Sequence, residues 1–340
     1  MQGNLPGPFG LAGRGASAAL RGLPVEPATA SAARLTSAPS PCQRGSRRIL
    51  RQAPSMHSVS IVGCGYTGLK LAQRWQNLKH RVRGFGTRDE SLRQITAIGA
   101  ESKLLNLDTN PPLVDLEGHL VYYTVPPAPV GVRDERLGRL LEHIVGKPRR
   151  FIYFSTTGVY GDRGGGAVDE ETPPAPQSER AARRLAAENT LREWADSHAV
   201  SWCILRIPGI YGPGRLPLDR LRRGDPAIDP REAKPSNRIH VEDLVTTCVA
   251  AGFATRADAR IYNVTDGTDD SLTAYLQRVA RIGNLPPPPL VSQADAQKTA
   301  STLSWSLLSE SRRVANRRML DELGVALAFH DLDAGIRASL

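Results

Sequence analysis

The chain is predicted to fold as an α/β protein built on a doubly wound parallel sheet, and three observations carry that expectation. Short β-branched apolar runs alternate along residues 58–154 with stretches of helical spacing, the pattern of right-handed βαβ units. The first run leads directly into a glycine-spaced turn that opens a helix. The alternatives are poorly supplied: no apolar run reaches the roughly 18 residues of a membrane span. The four cysteines (Cys42, Cys64, Cys203, Cys248) form no Cys-x-x-Cys pair, which argues against a disulfide scaffold or zinc ribbon and suits a reducing compartment.

Charge is unevenly spread. Residues 1–55 hold seven arginines, no lysine and one acid, Glu26, and so contribute +6 of the net +10. The remaining residues carry only +4, too little for an electrostatic footprint on DNA or RNA, so neither a nucleic-acid nor a membrane partner is expected. Residues 1–55 are rich in Ala, Gly, Pro, Ser and Arg without a period of 2 or 3.6, the composition of a disordered leader. Two readings stand. Either Met56, two residues before the first strand, is the effective start of a cytoplasmic protein, or the acid-poor leader is a transit peptide to a plastid or the mitochondrial matrix.

The elements follow in order. Ser58–Val62 is a strand, Gly63-Cys-Gly-Tyr-Thr-Gly68 a G-x-G-x-x-G turn, and Leu69–Trp75 a helix without a breaker. Gly63 permits the tight turn, Gly65 lets backbone approach a pyrophosphate, and Gly68 lets the helix pack on the strand. The first helical amides, at Tyr66 and Thr67, face the phosphates, which makes the fold Rossmann-type. A second strand at His80–Phe85 ends in Gly86-Thr87-Arg88 with no acid at its tip. A hydroxyl and a guanidinium suit a 2′-phosphate, so NADP(H) is expected over NAD(H), although Asp89 or Glu90 would serve a ribose if the strand ran longer. An amphipathic stretch near 90–98, a strand at Lys103–Leu107, a strand at His119–Val125 capped by Pro126-Pro127, a helix at 132–146 and a strand at Arg150–Phe154 complete the half. Ligands sit beyond the carboxyl ends of such strands. Cofactor contacts are therefore expected from Gly63, Gly65, Tyr66, Thr67, Gly68, Thr87, Arg88, Val125, Pro126, Pro127 and Ser155.

Several segments resemble the extended short-chain dehydrogenases/reductases, the NAD-dependent epimerase/dehydratase group. They are Phe154-Ser-Thr-Thr-Gly-Val-Tyr-Gly161, Leu205-Arg-Ile-Pro-Gly-Ile-Tyr-Gly-Pro-Gly214, Asn237-Arg-Ile-His-Val-Glu-Asp-Leu244 and Tyr262-Asn-Val264, in the group's order. The resemblance covers about 57–340. It implies a Rossmann domain over 57–207 and a small C-terminal α/β substrate domain over most of 208–340, with 237–264 returning to the first domain. It also implies a homodimer in many members.

The departure is as informative. The group's Tyr-x-x-x-Lys pair transfers and tunes a proton, yet between Asp162 and Gly209 there is neither tyrosine nor lysine. Arg180 and Arg184 fall at those places; an arginine stays protonated and so holds anions rather than exchanging protons. Tyr66-x-x-x-Lys70 matches the pattern on the wrong helix. The resemblance makes Thr156 and Tyr160 the catalytic candidates and Arg180, Arg184, Arg238 and His240 the substrate-binding ones, although Tyr160, the tyrosine of the Val-Tyr-Gly segment, reads first as a structural residue and only otherwise as one near the substrate. His240 reads equally as a buried structural histidine.

In the lower half, Gly164–Gln177 reads as a mobile loop over the site. Arg215, Arg220, Arg222 and Arg223 read either as a solvated face or as contacts to a phosphorylated substrate. Ser271–Ile282 is an amphipathic helix, and a last helix runs from Ser311 to Leu323 with Gly324 as its stop. No metal-ligand cluster is apparent, and no metal is expected. The whole reads as an NAD(P)-dependent oxidoreductase or epimerase/dehydratase-like enzyme on a small polar substrate, nucleotide-linked or phosphorylated among the options. The alternative is a catalytically inactive NADP(H)-binding sensor or scaffold.

Overall fold

The apolar runs become a seven-stranded parallel sheet covered on both faces. The computed structural model describes residues 56–299, 305 and 308–340, so the leader at 1–55 lies outside the described residues. The strands are β1 Ser58–Val62, β2 Arg81–Gly86, β3 Glu101–Leu104, β4 Leu120–Tyr123, β5 Arg150–Thr156, β6 Ser201–Ile207 and β7 Arg260–Asn263. Their spatial order is 3-2-1-4-5-6-7, all pairs parallel. The order reverses between β1 and β4, the switch point where such sheets take ligands.

The described helices are α1 Tyr66–Asn77, α2 Asp89–Ala97, α3 Glu135–Glu142, α4 Glu179–Ser197, α5 Leu218–Arg222, α6 Val241–Phe253, α7 Leu272–Ile282, α8 Gln293–Thr299, α9 Arg317–Leu323 and α10 Leu332–Arg337. Alternate strand residues serve the two layers. Leu120 and Tyr122 of β4 and Ile152 and Phe154 of β5 join the core formed with α1, α2 and α6. Val121, Tyr123, Phe151 and Tyr153 join the opposite core with α3 and α4. Burial on both faces is why these strands read as continuous apolar runs rather than alternating ones.

Residues 208–340 do two jobs. A third core gathers Tyr211, Leu221, Tyr275, Leu276, Val279 and Ile336 into a smaller lobe. Its root is a parallel pair, Gly209–Tyr211 with Arg238–His240. α6 and β7 return to the sheet layer, as does α9, whose Met319 lies in the main core. Among the described residues no helix is long and apolar enough to cross a membrane.

Three expected elements are corrected. The 132–146 helix shrinks to α3, because Asp134 caps it by accepting from Leu137 N at 3.1 Å and Gly146 adopts φ +80°. The helix expected from Ser311 starts at Arg317. Val314 is buried against Val159, Tyr160 and Val168, and Arg313–Val314 pairs as a strand with Ala167–Val168. The same pairing overturns the mobile-loop reading of 164–177. Arg163 and Gly165 donate backbone N–H groups to Ser311 O, Ala175 N to Val159 O, and Glu170 accepts from Asn263 N at 2.8 Å. Gly324, at φ +63°, does end the helix.

Candidate cofactor loop and substrate cavity

The glycine turn shows directly why each glycine stands where it does. Gly63 has φ +101°, and a Cβ there would lie 2.8 Å from Thr124 Oγ1. A Cβ on Gly68 would lie 2.5 Å from Gly63 O, so only glycine lets α1 begin this close to β1. A Cβ on Gly65 would meet nothing within 4 Å. Folding therefore does not require glycine at 65. What a side chain would fill is the open cradle at the N-terminus of α1, where amides and helix dipole favour a pyrophosphate. The residues present fit a dinucleotide.

β2 ends at Gly86, and Thr87 and Arg88 follow as exposed residues. Arg88 is the residue preceding α2; its carbonyl accepts from Leu92 N at 3.1 Å, but its side chain makes no hydrogen bond or ion pair to another described residue, while Asp89 and Glu90 lie inside the helix's first turn. The tip thus offers a guanidinium rather than a carboxylate. At the β4 tip, Arg136 braces the Val125-Pro126-Pro127 turn: it donates to Pro126 O at 3.0 Å and forks onto Asp108 at 2.6 and 2.7 Å. This brace connects residues 28 apart, and no local pattern signals it.

The end of β5 separates the remaining candidates. Thr156 lines the cavity described below; its Oγ1 accepts from Gly158 N at 3.1 Å, so its own proton is left to donate. Ser155 faces the other way. Its hydroxyl donates to Glu188, which forms a buried ion pair with Arg206 at 2.7 Å. Arg206 in turn lies 4.9 Å from the Tyr160 ring centroid, and Tyr160 is fully buried with its hydroxyl donating to Asn263 Oδ1 at 2.8 Å. Burial pushes the Tyr160 phenol up. The expected cofactor contact from the Ser155 side chain and the catalytic role of Tyr160 are therefore corrected: both hydroxyls are spent inside one buried cluster.

Arg184 is also corrected. Its Nη1 donates to Phe154 O at 2.8 Å and Tyr153 OH at 3.1 Å, bracing the sheet rather than meeting a substrate. His240 is 1% exposed. Its Nδ1 accepts from Glu242 N at 3.2 Å, capping α6, so Nε2 carries the proton and points at Ser339 Oγ 3.3 Å away. With its ring centroid 3.9 Å from that of Phe329 and tilted 45° to it, it is a structural histidine, held below its ordinary pKa by burial.

Between the sheet and the smaller lobe lies a cavity of about 530 Å³. Its lining includes Arg180, Arg215, Arg220, Lys234, Arg238 and Arg312, against a single carboxylate, Glu310, which Arg312 holds at 2.8 Å. That excess exceeds the +4 of residues 56–340 as a whole. Arg238 stacks 4.7 Å from the Tyr275 ring centroid and donates through Nη2 to Ser236 Oγ at 2.7 Å, but its Nη1 has no partner among the described residues. The arginine run at 215–223 divides: Arg215 and Arg220 face the cavity, while Arg222 and Arg223 pair with Asp219 and Asp225 on the surface. Arg215 stands 4.6 Å over the ring of Tyr66, whose hydroxyl donates to Pro213 O at 3.0 Å. Glycine loop and cavity thus share a wall. Sequence reasoning missed this contact because it joins residues about 150 apart.

A switch-point glycine cradle beside a cation-lined cavity defines a dinucleotide-binding α/β protein with a second, ligand-facing lobe. Residues 137–228 match the model of the NAD dependent epimerase/dehydratase family. The chain is 30% identical to a conserved protein of unknown function from Silicibacter pomeroyi, whose structure superposes with a TM-score of 0.71 over 83% of this chain and 98% of that one. It is 29% identical to Protein YeeZ of Escherichia coli K12 over 72% of this chain and 90% of that protein. A UDP-glucuronic acid 4-epimerase from Bacillus cereus, solved with UDP-glucuronic acid and NAD, shares the fold at 18% identity and a TM-score of 0.63, over 83% and 97% of the two chains. The chain belongs to the NAD-dependent epimerase/dehydratase family.

Proposed function

We propose that this protein is an NAD(P)-dependent oxidoreductase or epimerase-type enzyme acting on a small, polar, anionic substrate, with NADP(H) preferred over NAD(H). The observation that carries this reading is the shared wall: Arg215 lines the cavity and lies on Tyr66 of the glycine loop. A substrate in the cavity is thereby set beside the cofactor cradle. The bound nicotinamide would supply hydride transfer; the chain's own task is to bind, orient and manage the proton.

Gly63, Gly65 and Gly68 with the first amides of α1 would hold the pyrophosphate, and Arg88 with Thr87 the 2′-phosphate. Thr156 directs its hydroxyl proton at a substrate oxygen. With Tyr160 and His240 buried and committed, and arginines at 180 and 184, the described residues place no tyrosine, histidine or lysine beside Thr156 to exchange the proton, and the cavity's one carboxylate, Glu310, is held by Arg312. The proton then travels through water ordered by Thr156. This departs from the family's tyrosine-based pattern and makes the protein an atypical member.

The test is titration of the full chain with NADPH and NADH, followed by NADPH oxidation across carbonyl compounds and nucleotide-linked sugars. Tight NADPH binding with turnover that drops in Thr156→Val supports the reading; binding of neither dinucleotide ends it. A second reading, a non-catalytic NADP(H)-binding sensor, is favoured by the missing Tyr/Lys pair. Multiple turnover of any substrate would exclude it.

A further inference from the structure

The cavity is rich in donors and poor in acceptors, and its cations are not equivalent. Arg312, Lys234 and Arg220 are engaged by protein: Arg312 by Glu310, Lys234 Nζ by Ser309 O at 3.1 Å, and Arg220 Nη2 by Pro226 O at 2.7 Å. Arg180 is different. It is exposed at the cavity, and its side chain makes no hydrogen bond or ion pair with another described residue; the charge of Glu310, which Arg312 already holds, acts on it without pairing to it. It sits in the first turn of α4, a 19-residue helix capped by Ser178, so the helix dipole adds to its charge. α4 packs on the turn after Thr156: a Cβ on Gly158 would lie 3.7 Å from Ala181 Cβ. Arg180 and the Thr156 hydroxyl therefore line the same sheet-side wall, whereas Arg220 and Arg238 line the wall formed by the smaller lobe and its root.

A guanidinium cannot replace the phenol as a proton donor, but it is well matched to a planar carboxylate. We infer that Arg180, with Thr156, is a specificity-determining site for a carboxylate on the substrate, and that the substrate is at least dianionic, its second anion held on the opposite wall near Arg220 and Arg238. The inference rests on the functional reading above and narrows its substrate class: acid-bearing molecules rather than their neutral counterparts. The loss of the tyrosine then accompanies a gain of anion selectivity at the same position.

The experiment compares two probe pairs by calorimetry on the full chain, with and without saturating NADPH: UDP-glucuronate against UDP-glucose, and glucuronate 1-phosphate against glucose 1-phosphate. Within each pair the members share the phosphate and differ chiefly in the carboxylate. Wild type is expected to favour the acid of at least one pair by about tenfold or more, a charge-assisted pair's worth of affinity. Arg180→Gln should erase that preference while leaving the neutral partner's affinity intact, and Arg180→Lys should restore part of it. Arg220→Gln should weaken both members of the pair alike and leave their ratio unchanged. The inference is overturned if no acid is preferred, if the preference survives in Arg180→Gln, or if none of the four probes binds. Acid preference without NADPH binding would sink the cofactor reading alone. NADPH binding without acid preference would sink this inference alone.

Discussion

At the residue scale, the glycine turn separates what folding needs from what binding needs. Gly68→Ala forces a Cβ to 2.5 Å from a backbone carbonyl, so a lowered thermal midpoint is expected. Gly65→Val meets no protein atom at its Cβ and should melt like wild type while losing NADPH binding; a melt and a titration on each variant check the pair. Arg88→Ala should cost roughly 1–3 kcal/mol of NADPH affinity and leave NADH unchanged, and an equal loss for both nucleotides would remove the 2′-phosphate assignment. These residues were legible because the motif is local: strand, glycines and helix are contiguous, and their geometry follows from sterics within a dozen residues. Ser155 and Arg184 were misplaced, and Tyr160 and His240 stayed open between a structural and a site role, for the opposite reason. Their side-chain partners, such as Glu188, Asn263, Tyr153 and Ser339, include residues as many as about 100 positions away, and side-chain direction at a strand end depends on those partners.

At the element scale, the pairing of α4 to β6 through Glu188 and Arg206 dominates the polar interior. Both side chains are at most 3% exposed, and Glu188 also receives the Ser155 hydroxyl. Removing the carboxylate strands a buried guanidinium, so Glu188→Ala should destabilise by about 3–5 kcal/mol, measured by denaturant unfolding. A loss below about 1 kcal/mol would mean that the pair is hydrated and of surface type. β1, β2, β4 and β5 with α1, α2 and α7 were readable from period and capping, whereas β3 lies at Glu101–Leu104 rather than Lys103–Leu107, and β6 and β7 were signalled by the family resemblance alone. The short pairing of Ala167–Val168 with Arg313–Val314 was not, because a two-residue strand has no period and its register is set by Val314 entering the pocket of Val159, Tyr160 and Val168.

At the scale of the whole molecule, four imidazoles set an acid limit. His57, His80, His119 and His240 are each held below the ordinary value of 6.5, with desolvation the leading cause. Below pH 6.5 the unfolded chain binds protons that the folded chain does not, so stability is full above that pH and falls as pH drops toward the lowered folded values. Asp134, Glu170 and Asp266, pushed up by burial, act with the opposite sign: their contribution is lost as pH rises through their raised values. The histidine effect is therefore best read by NMR titration of each ring, with midpoints below 6.5 expected. A midpoint at or above 6.5 for fully buried His240 would contradict its role as a neutral cap.

Local order and the class of fold were written in the sequence itself. Apolar runs buried on both faces, a glycine turn with its own steric logic, and a missing tyrosine and lysine are all properties of neighbouring residues or of simple absence. The cavity, its concentration of cations and the contact of Arg215 with Tyr66 arose only when strands and helices distant in sequence were packed together. Periodicity reports which face of an element is buried; it carries no information about which buried or half-buried charges meet. Long-range packing decided that, and with it which of the candidate side chains were left facing the cavity.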